Sequence, residues 1–204
     1  MKLKNGMQIS IDPMAAILFA GMLLTDRTHI VVGIFIAATA HELGHLLAAR
    51  LLGIPLRSMR LDMLGARLDI GGRILTYGEE WALCAAGPIF SLLLAAVPVF
   101  WWDRCSFARE LSCLSLLLGG LNLLPIRNFD GGRMLASFLS VLFGERVSER
   151  VITVCSVLFV LLLWSVAVYF LLRVGDGLSL FCFSMSLFFR FFGFSEDSRR
   201  SGTG

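Results

Sequence analysis

His41-Glu42-Leu43-Gly44-His45 sets two imidazoles and a carboxylate at a spacing that a helix turns to one side. Residues four apart share a helix face, so His41 and His45 can grip one ion while Glu42 stands beside them. An ion held this way keeps positions open for water, and the adjoining carboxylate can move protons, which is the chemistry of metal-assisted hydrolysis. The competing arrangement is two hydrogen-bonded histidines facing a polar neighbour. The surroundings favour the metal. The pentad lies within the apolar run from Ile30 to Ile54, long enough to cross a bilayer. A single charge at the centre of such a run costs at least about 2.5–3.5 kcal/mol. A metal would compensate all three groups at once.

A catalytic zinc takes three protein ligands and keeps one position for water, so the pentad supplies two and a third is needed. The second constellation is Asn122-Leu123-Leu124-Pro125-Ile126-Arg127-Asn128-Phe129-Asp130-Gly131-Gly132-Arg133. Here Pro125 stops a helix, and Gly131-Gly132 permit backbone angles that other residues resist. Asp130 either caps a helix starting near Gly131 or serves as the third ligand. Depth favours the ligand. If six spans cross, the run before Asp130 travels the same way as the run bearing His41 and His45, and delivers the carboxylate to the same inner half. Glu79 and Glu80 instead head a span, and Asp176 falls on the outer side. Asn122 either bonds a substrate carbonyl or the developing oxyanion, or satisfies backbone groups freed near Pro125.

The elements that must position these residues are membrane helices. Hydrophobic residues make up 57% of the chain and charged residues 16%, with a mean hydropathy of +0.80, whereas soluble domains carry about 25% charged residues. Four apolar runs stand out: Ile30 to Leu52, Trp81 to Trp102, Leu111 to Leu124 and Val151 to Leu172. Pro13 to Leu24 and Leu178 to Phe192 are shorter candidates, and together they give an all-α polytopic protein of about six spans. With the N-terminus inside, all of the 18 Lys and Arg except Arg27, Arg104, Arg109 and Arg173 fall on the cytoplasmic side. Both termini are then cytoplasmic. The net charge of +3 follows from this topology and marks no nucleic-acid surface. The five cysteines form no CxxC pair, and His29 reads as a surface histidine.

Between the first two strong runs, residues 56–77 change character. Met59, Leu61 and Met63 alternate with polar residues, as do Ala66, Leu68 and Ile70. That period of two predicts a hairpin turning at Leu64-Gly65, with Arg73 to Tyr77 as a candidate third strand. It is either a plain connection or an edge that pairs with an extended substrate segment. Ala85-Ala86-Gly87-Pro88 is explained by helix packing alone. The whole reads as a single domain over residues 1–194, with the metal-gripping span at 30–52, the Asp-bearing segment at 111–133 and a flexible tail at 195–204.

Taken together, the two constellations resemble the site-2 protease family of intramembrane zinc metalloproteases. That family carries HExxH on one span and N-x-x-P-x-x-x-x-D-G on a later one, matched here by His41, Glu42 and His45, and by Asn122, Pro125, Asp130 and Gly131. Gly87-Pro88 and the hairpin are also similar to family features. The resemblance implies one zinc per chain on His41, His45 and Asp130, with Glu42 as the base and Asn122 near the oxyanion. Its implied partners are the lipid bilayer, a membrane-tethered protein substrate and a membrane inhibitor or regulator. The chain is most similar to the bacterial branch that processes a membrane-tethered pro-sigma factor in sporulation, although it shows neither a nucleotide-sensing nor a PDZ domain. The rival class is a divalent-metal transporter using the same His, Glu and Asp side chains, but no second half echoes the first, as an inverted repeat would. A scaffold retaining a degenerate fold would not need the intact pentad.

Overall fold

The computed structural model describes residues 8–11, 29–62, 65–70, 73–97, 99 and 105–174. In chain order the elements are β1 (Gln8–Ile11), α1 (Ile30–Leu51), β2 (Leu56–Asp62), β3 (Gly65–Ile70), α2 (Tyr77–Ala96), α3 (Ser106–Asn122), α4 (Asp130–Phe143) and α5 (Glu145–Val174). Helix α2 is central and packs against α1, α3 and α4, while α5 lies against α4. Three of the described helices are long and apolar enough to cross a membrane: α1, α2 and the Glu145–Tyr169 part of α5. The apolar segments Pro13 to Leu24 and Leu178 to Phe192 lie outside the described residues.

Burial runs opposite to that of a water-soluble bundle. The buried stripe of α1 is Val31, Gly33, Ala37, His41, Gly44, His45 and Ala49, which are mostly small or polar. Large side chains of the same helix face outward, including Phe35, Leu43 and Leu47. On α3 the buried residues are Ser112, Ser115 and Gly119. Lipid solvates Leu and Phe as well as a protein core does, so helices associate through small residues that let backbones approach and through interhelical hydrogen bonds. An apolar exterior this extensive belongs in a bilayer. The protein is an integral membrane protein.

Two close approaches show how the helices meet. A Cβ on Gly44 would collide with the Ala86 carbonyl and with Phe90, and one on Gly119 would press on Ser91. Ser112 donates its hydroxyl to the Ala95 carbonyl across the same α2–α3 seam. The C-terminus of α1 is closed by a reversal at Gly53, whose φ of 62° suits glycine. There the Ile54 amide returns to the Ala49 carbonyl at 2.8 Å and the Gly53 amide to the Arg50 carbonyl at 3.1 Å. Ile54 thereby packs onto Ala49 and Leu83, tying α1 to α2 beside the pentad.

The sheet has the order β1-β2-β3, with β1 parallel to β2 and β2 antiparallel to β3. Its third strand is thus Gln8–Ile11, and the expected strand at Arg73 to Tyr77 does not form. Thr76 instead caps α2 in a reciprocal box with Glu79, and Tyr77 begins the helix. The cap satisfies two helix-terminal amides that a strand would have left to a neighbouring backbone. Met63 and Leu64, at the expected turn, lie outside the described residues.

The segment before Asp130 is wound tightly. Beyond α3 the Ile126 amide bonds the Leu124 carbonyl around Pro125, and the Phe129 amide bonds the Ile126 carbonyl. Ile126 is buried, and the Arg127 amide donates to Ser156 of α5 at 2.8 Å. Gly131 and Gly132 sit inside α4 without positive φ, which corrects the expectation that they relax backbone angles. They permit contact. A Cβ on Gly131 would strike the Leu123 backbone, and one on Gly132 the Ile126 carbonyl.

Gly44→Ala should therefore destabilise the folded protein by about 1–3 kcal/mol, the usual cost of overpacking. Gly120, with nothing within 4 Å of its would-be Cβ, should tolerate alanine and gain up to about 1 kcal/mol from helix propensity. Thermal unfolding in detergent should move in opposite directions for the two variants.

Candidate metal centre

Helix α1 delivers His41 and His45 one turn apart, and the start of α4 brings Asp130 to them from across the bundle. The Asp130 Oδ2 lies 3.1 Å from His41 Nε2 and 3.2 Å from His45 Nε2. The two Nε2 atoms are 3.3 Å apart. Both imidazoles are buried, and the Asp130 side chain is 13% exposed. Among the described residues these three form a group whose ligand atoms all fall within 4.8 Å of one another.

The outer nitrogens fix the chemistry of the inner ones. His45 Nδ1 lies 2.8 Å from the Leu83 carbonyl. A carbonyl only accepts, so Nδ1 carries the proton and Nε2 of the neutral ring presents a lone pair. His41 Nδ1 lies 2.9 Å from the hydroxyl of fully buried Ser91. That hydroxyl can accept, leaving His41 Nε2 in the same state. The rings stand nearly perpendicular, at 80°. Two lone pairs and a carboxylate oxygen converging on one point repel one another unless a cation or protons lie between them.

The spacing fits a metal. A tetrahedral ion with bonds of about 2.0 Å sets its ligand atoms about 3.3 Å apart, and the three observed separations are 3.1, 3.2 and 3.3 Å. Gly87 of α2 keeps this space open, because a Cβ there would overlap both imidazoles. Pro88 follows it and is fully buried. Its ring withdraws the amide that would otherwise bond the Cys84 carbonyl, which loosens α2 at the level of the histidines.

Asp130 is not a helix cap here. Phe129 occupies the N-cap position, without a side-chain cap bond, and Asp130 is the first residue of α4. Its carboxylate turns to the imidazoles. Glu42 is half-buried on α1 beside His41. The Asn122 amide nitrogen bonds back to the Leu118 carbonyl of its own helix at 3.1 Å, which is backbone satisfaction near the helix end. His29 is exposed and plays no part in the cluster.

Sequence reasoning gave Gly87 no role beyond packing and family likeness, and missed Ser91 and the Leu83 carbonyl. Gly87 carried a signal, a glycine directly before a proline within an apolar run. Ser91 and Leu83 carried none, since a serine or a main-chain oxygen in a span has many uses.

Residues 101–166 match peptidase family M50. The chain is 32% identical over 126 residues to Rip3 of Mycobacterium tuberculosis, whose name places it among the zinc metalloproteases, covering 53% of this chain and 30% of that protein. It is 27% identical over 131 residues to a zinc metalloprotease of Methanocaldococcus jannaschii, covering 58% and 36%. The chain thus spans about a third of the length of the curated relatives it matches. Its fold superimposes on the site-2 protease of Methanocaldococcus jannaschii with a TM-score of 0.62 at 23% identity, over 93% of this chain and 90% of the other. The residues matched to peptidase family M50 include Asp130 and the loop that packs it, and over nearly the whole chain the fold is similar to that of a site-2 protease.

Proposed function

We propose that the chain is an intramembrane zinc metalloprotease that cleaves membrane-tethered regulatory proteins. One observation carries this: two lone-pair nitrogens and a carboxylate oxygen converge, at the separations of a tetrahedral ion, within helices whose exteriors are apolar. When bound, zinc supplies a Lewis acid that polarises a carbonyl and lowers the pKa of a water toward about 7. His41, His45 and Asp130 hold it, with Ser91 and the Leu83 carbonyl orienting the rings.

Glu42 accepts a proton from the attacking water as the new C–O bond forms. It passes that proton to the amide nitrogen as the C–N bond breaks, leaving a carboxylic acid and an amine. Asn122 is assigned to the scissile carbonyl, where a donor would strengthen its bond as charge develops. To serve there its amide must leave the Leu118 carbonyl.

A substrate helix shields its amides with its own hydrogen bonds and has to be extended before cleavage. Strand β3 ends the sheet order, so its outer edge can take an extended segment by strand addition. In the bilayer this assignment sets β2 and β3 at the cytoplasmic edge of six spans, with both termini inside. A bacterial membrane-tethered pro-sigma factor is the substrate type that the Asp130-Gly131-Gly132-Arg133 run favours, within regulated intramembrane proteolysis.

Glu42→Gln, co-expressed with candidate membrane-tethered substrates, should lower cleavage by about 10²–10⁴-fold while the purified protein keeps its zinc. Undiminished cleavage would remove Glu42 from the mechanism, and zinc flux into vesicles would point to transport instead. Stripping the protein with a chelator should abolish cleavage, and adding back zinc should restore it. Asn122→Ala should cost about 10²-fold in kcat if the oxyanion assignment holds; an unchanged kcat would leave Asn122 as a backbone partner only.

A further inference from the structure

The metal donors come from two helices, and something must hold those helices in register. Asp130 and Arg133 lie on the first turn of α4, with Ser137 one turn further on. On α2, Glu80 lies one turn before Leu83, whose carbonyl fixes His45. Glu80 joins the two helices with both of its oxygens. Its Oε1 accepts from Arg133 Nε and Nη2 at 3.3 and 3.2 Å, and its Oε2 accepts from the Ser137 hydroxyl at 3.0 Å. Residues three apart on a helix are separated by about 4.5 Å along the axis. The Glu80 cluster therefore sits about one turn from Asp130 on α4 and about one turn from Leu83, the carbonyl that orients His45, on α2.

We infer that Glu80, Arg133 and Ser137 form a positioning clamp that sets where the Asp130 carboxylate stands relative to His41 and His45. The inference rests on the reading of those three residues as a metal site. An Arg–carboxylate contact constrains direction as well as distance, and Ser137 adds a second point of attachment one turn along α4. With two points fixed, α4 can neither slide along α2 nor rotate about its own axis without breaking a bond. A ligand displaced by about 1 Å no longer closes the tetrahedron.

Two other ties on α4 leave this freedom. Gly131 and Gly132 press its first turn onto the loop from Leu123 to Ile126, and Ser148 of α5 donates to the Ala136 carbonyl. Neither contact refers α4 to α2, whose Leu83 carbonyl fixes His45. The clamp also borders a cleft of about 490 Å³, lined in part by Tyr77, Arg127, Glu145 and Glu149. In it Arg127 pairs with Glu149 at 2.8 Å. That second pair links the loop to α5 and touches neither α1 nor α2, so it serves as an internal control.

The test is metal affinity of the full chain in detergent, measured by competition with a chromophoric chelator for zinc, together with the visible spectrum of the cobalt(II) form. Glu80→Gln should weaken zinc binding by about 10–100-fold, as loss of an outer partner commonly does, and should shift the cobalt bands. Ser137→Ala, a smaller change, should weaken binding less and in the same direction. Glu149→Gln should leave both readouts at wild-type values. Exchanging the charges, Glu80→Arg with Arg133→Glu, should recover part of the affinity lost in Glu80→Arg alone. A purely structural role would lower the melting temperature of the metal-free protein and leave the cobalt spectrum of the folded fraction unchanged; that result overturns the inference. So does wild-type zinc affinity in Glu80→Gln while His45→Ala has lost it. If His45→Ala also binds like wild type, the metal site itself fails.

Discussion

Two imidazoles and a carboxylate inside an apolar bundle constrain everything around them. Each carries lone pairs or charge that hydrocarbon cannot solvate, and each must find its partner within the protein. The partners present are few and specific: the Leu83 carbonyl for His45, the Ser91 hydroxyl for His41, and the shared focus with Asp130. Because the outer nitrogens are occupied, the inner ones are committed to a common point. The tautomers follow from the packing of α1 on α2, and the metal-binding character of the site follows from the tautomers.

That packing is possible because the buried seam is made of small residues. Gly44 meets the α2 backbone, Gly87 meets the imidazoles, and Gly119 meets Ser91. A larger residue at Gly44 or Gly87 would press α1 away from α2, across which the His45–Leu83 hydrogen bond runs. Close approach and polar satisfaction are therefore the same requirement in this bundle. The large apolar residues face outward, where they meet lipid and do nothing to determine which helices touch. This also explains why one proline is accommodated in α2: the freed Cys84 carbonyl lies at a level where polar side chains, rather than lipid, are the neighbours.

The clustering of His41, His45 and Asp130 was legible in the sequence and much of its support was not. His41, Glu42 and His45 announce themselves because three such residues within an apolar run have no inexpensive alternative. Asp130 was singled out from Glu79, Glu80 and Asp176 by the depth that a six-span reading gives it, and the structure brings its carboxylate to both imidazoles. Helix faces were not readable. A span that is apolar all round has no period to show which side is buried, so Gly87 passed as packing and Ser91 passed unnoticed. Arg73 to Tyr77 was misread as strand because Ile74, Leu75 and Tyr77 resemble one in isolation, whereas Thr76 and Glu79 form a capping box that only their pairing reveals. Gly131-Gly132 was recognised as necessary for the wrong reason. Glycine serves both unusual backbone angles and close contact, and only the neighbouring Leu123 and Ile126 carbonyls distinguish the two.

The separation of His41 and Asp130 by 89 positions has a thermodynamic consequence. An ion bound by both closes a loop through α2 and α3, so its binding free energy contributes to the association of α1 with α4 and is not confined to the site. The reverse also holds by linkage: docking of α4 raises metal affinity by the same factor by which the bound metal favours docking. Local ties serve this differently. The Gly131 and Gly132 contacts join α4 to a loop adjacent in the chain, and act even if α1 and α4 drift apart. The bonds of Glu80 to Arg133 and Ser137 tie α4 to α2, which holds His45 of α1 through the Leu83 carbonyl, and so act on the position of Asp130 relative to the histidines. Two cross-helix attachments one turn apart resist tilting as well as separation. A single metal centre, being a point, resists only separation.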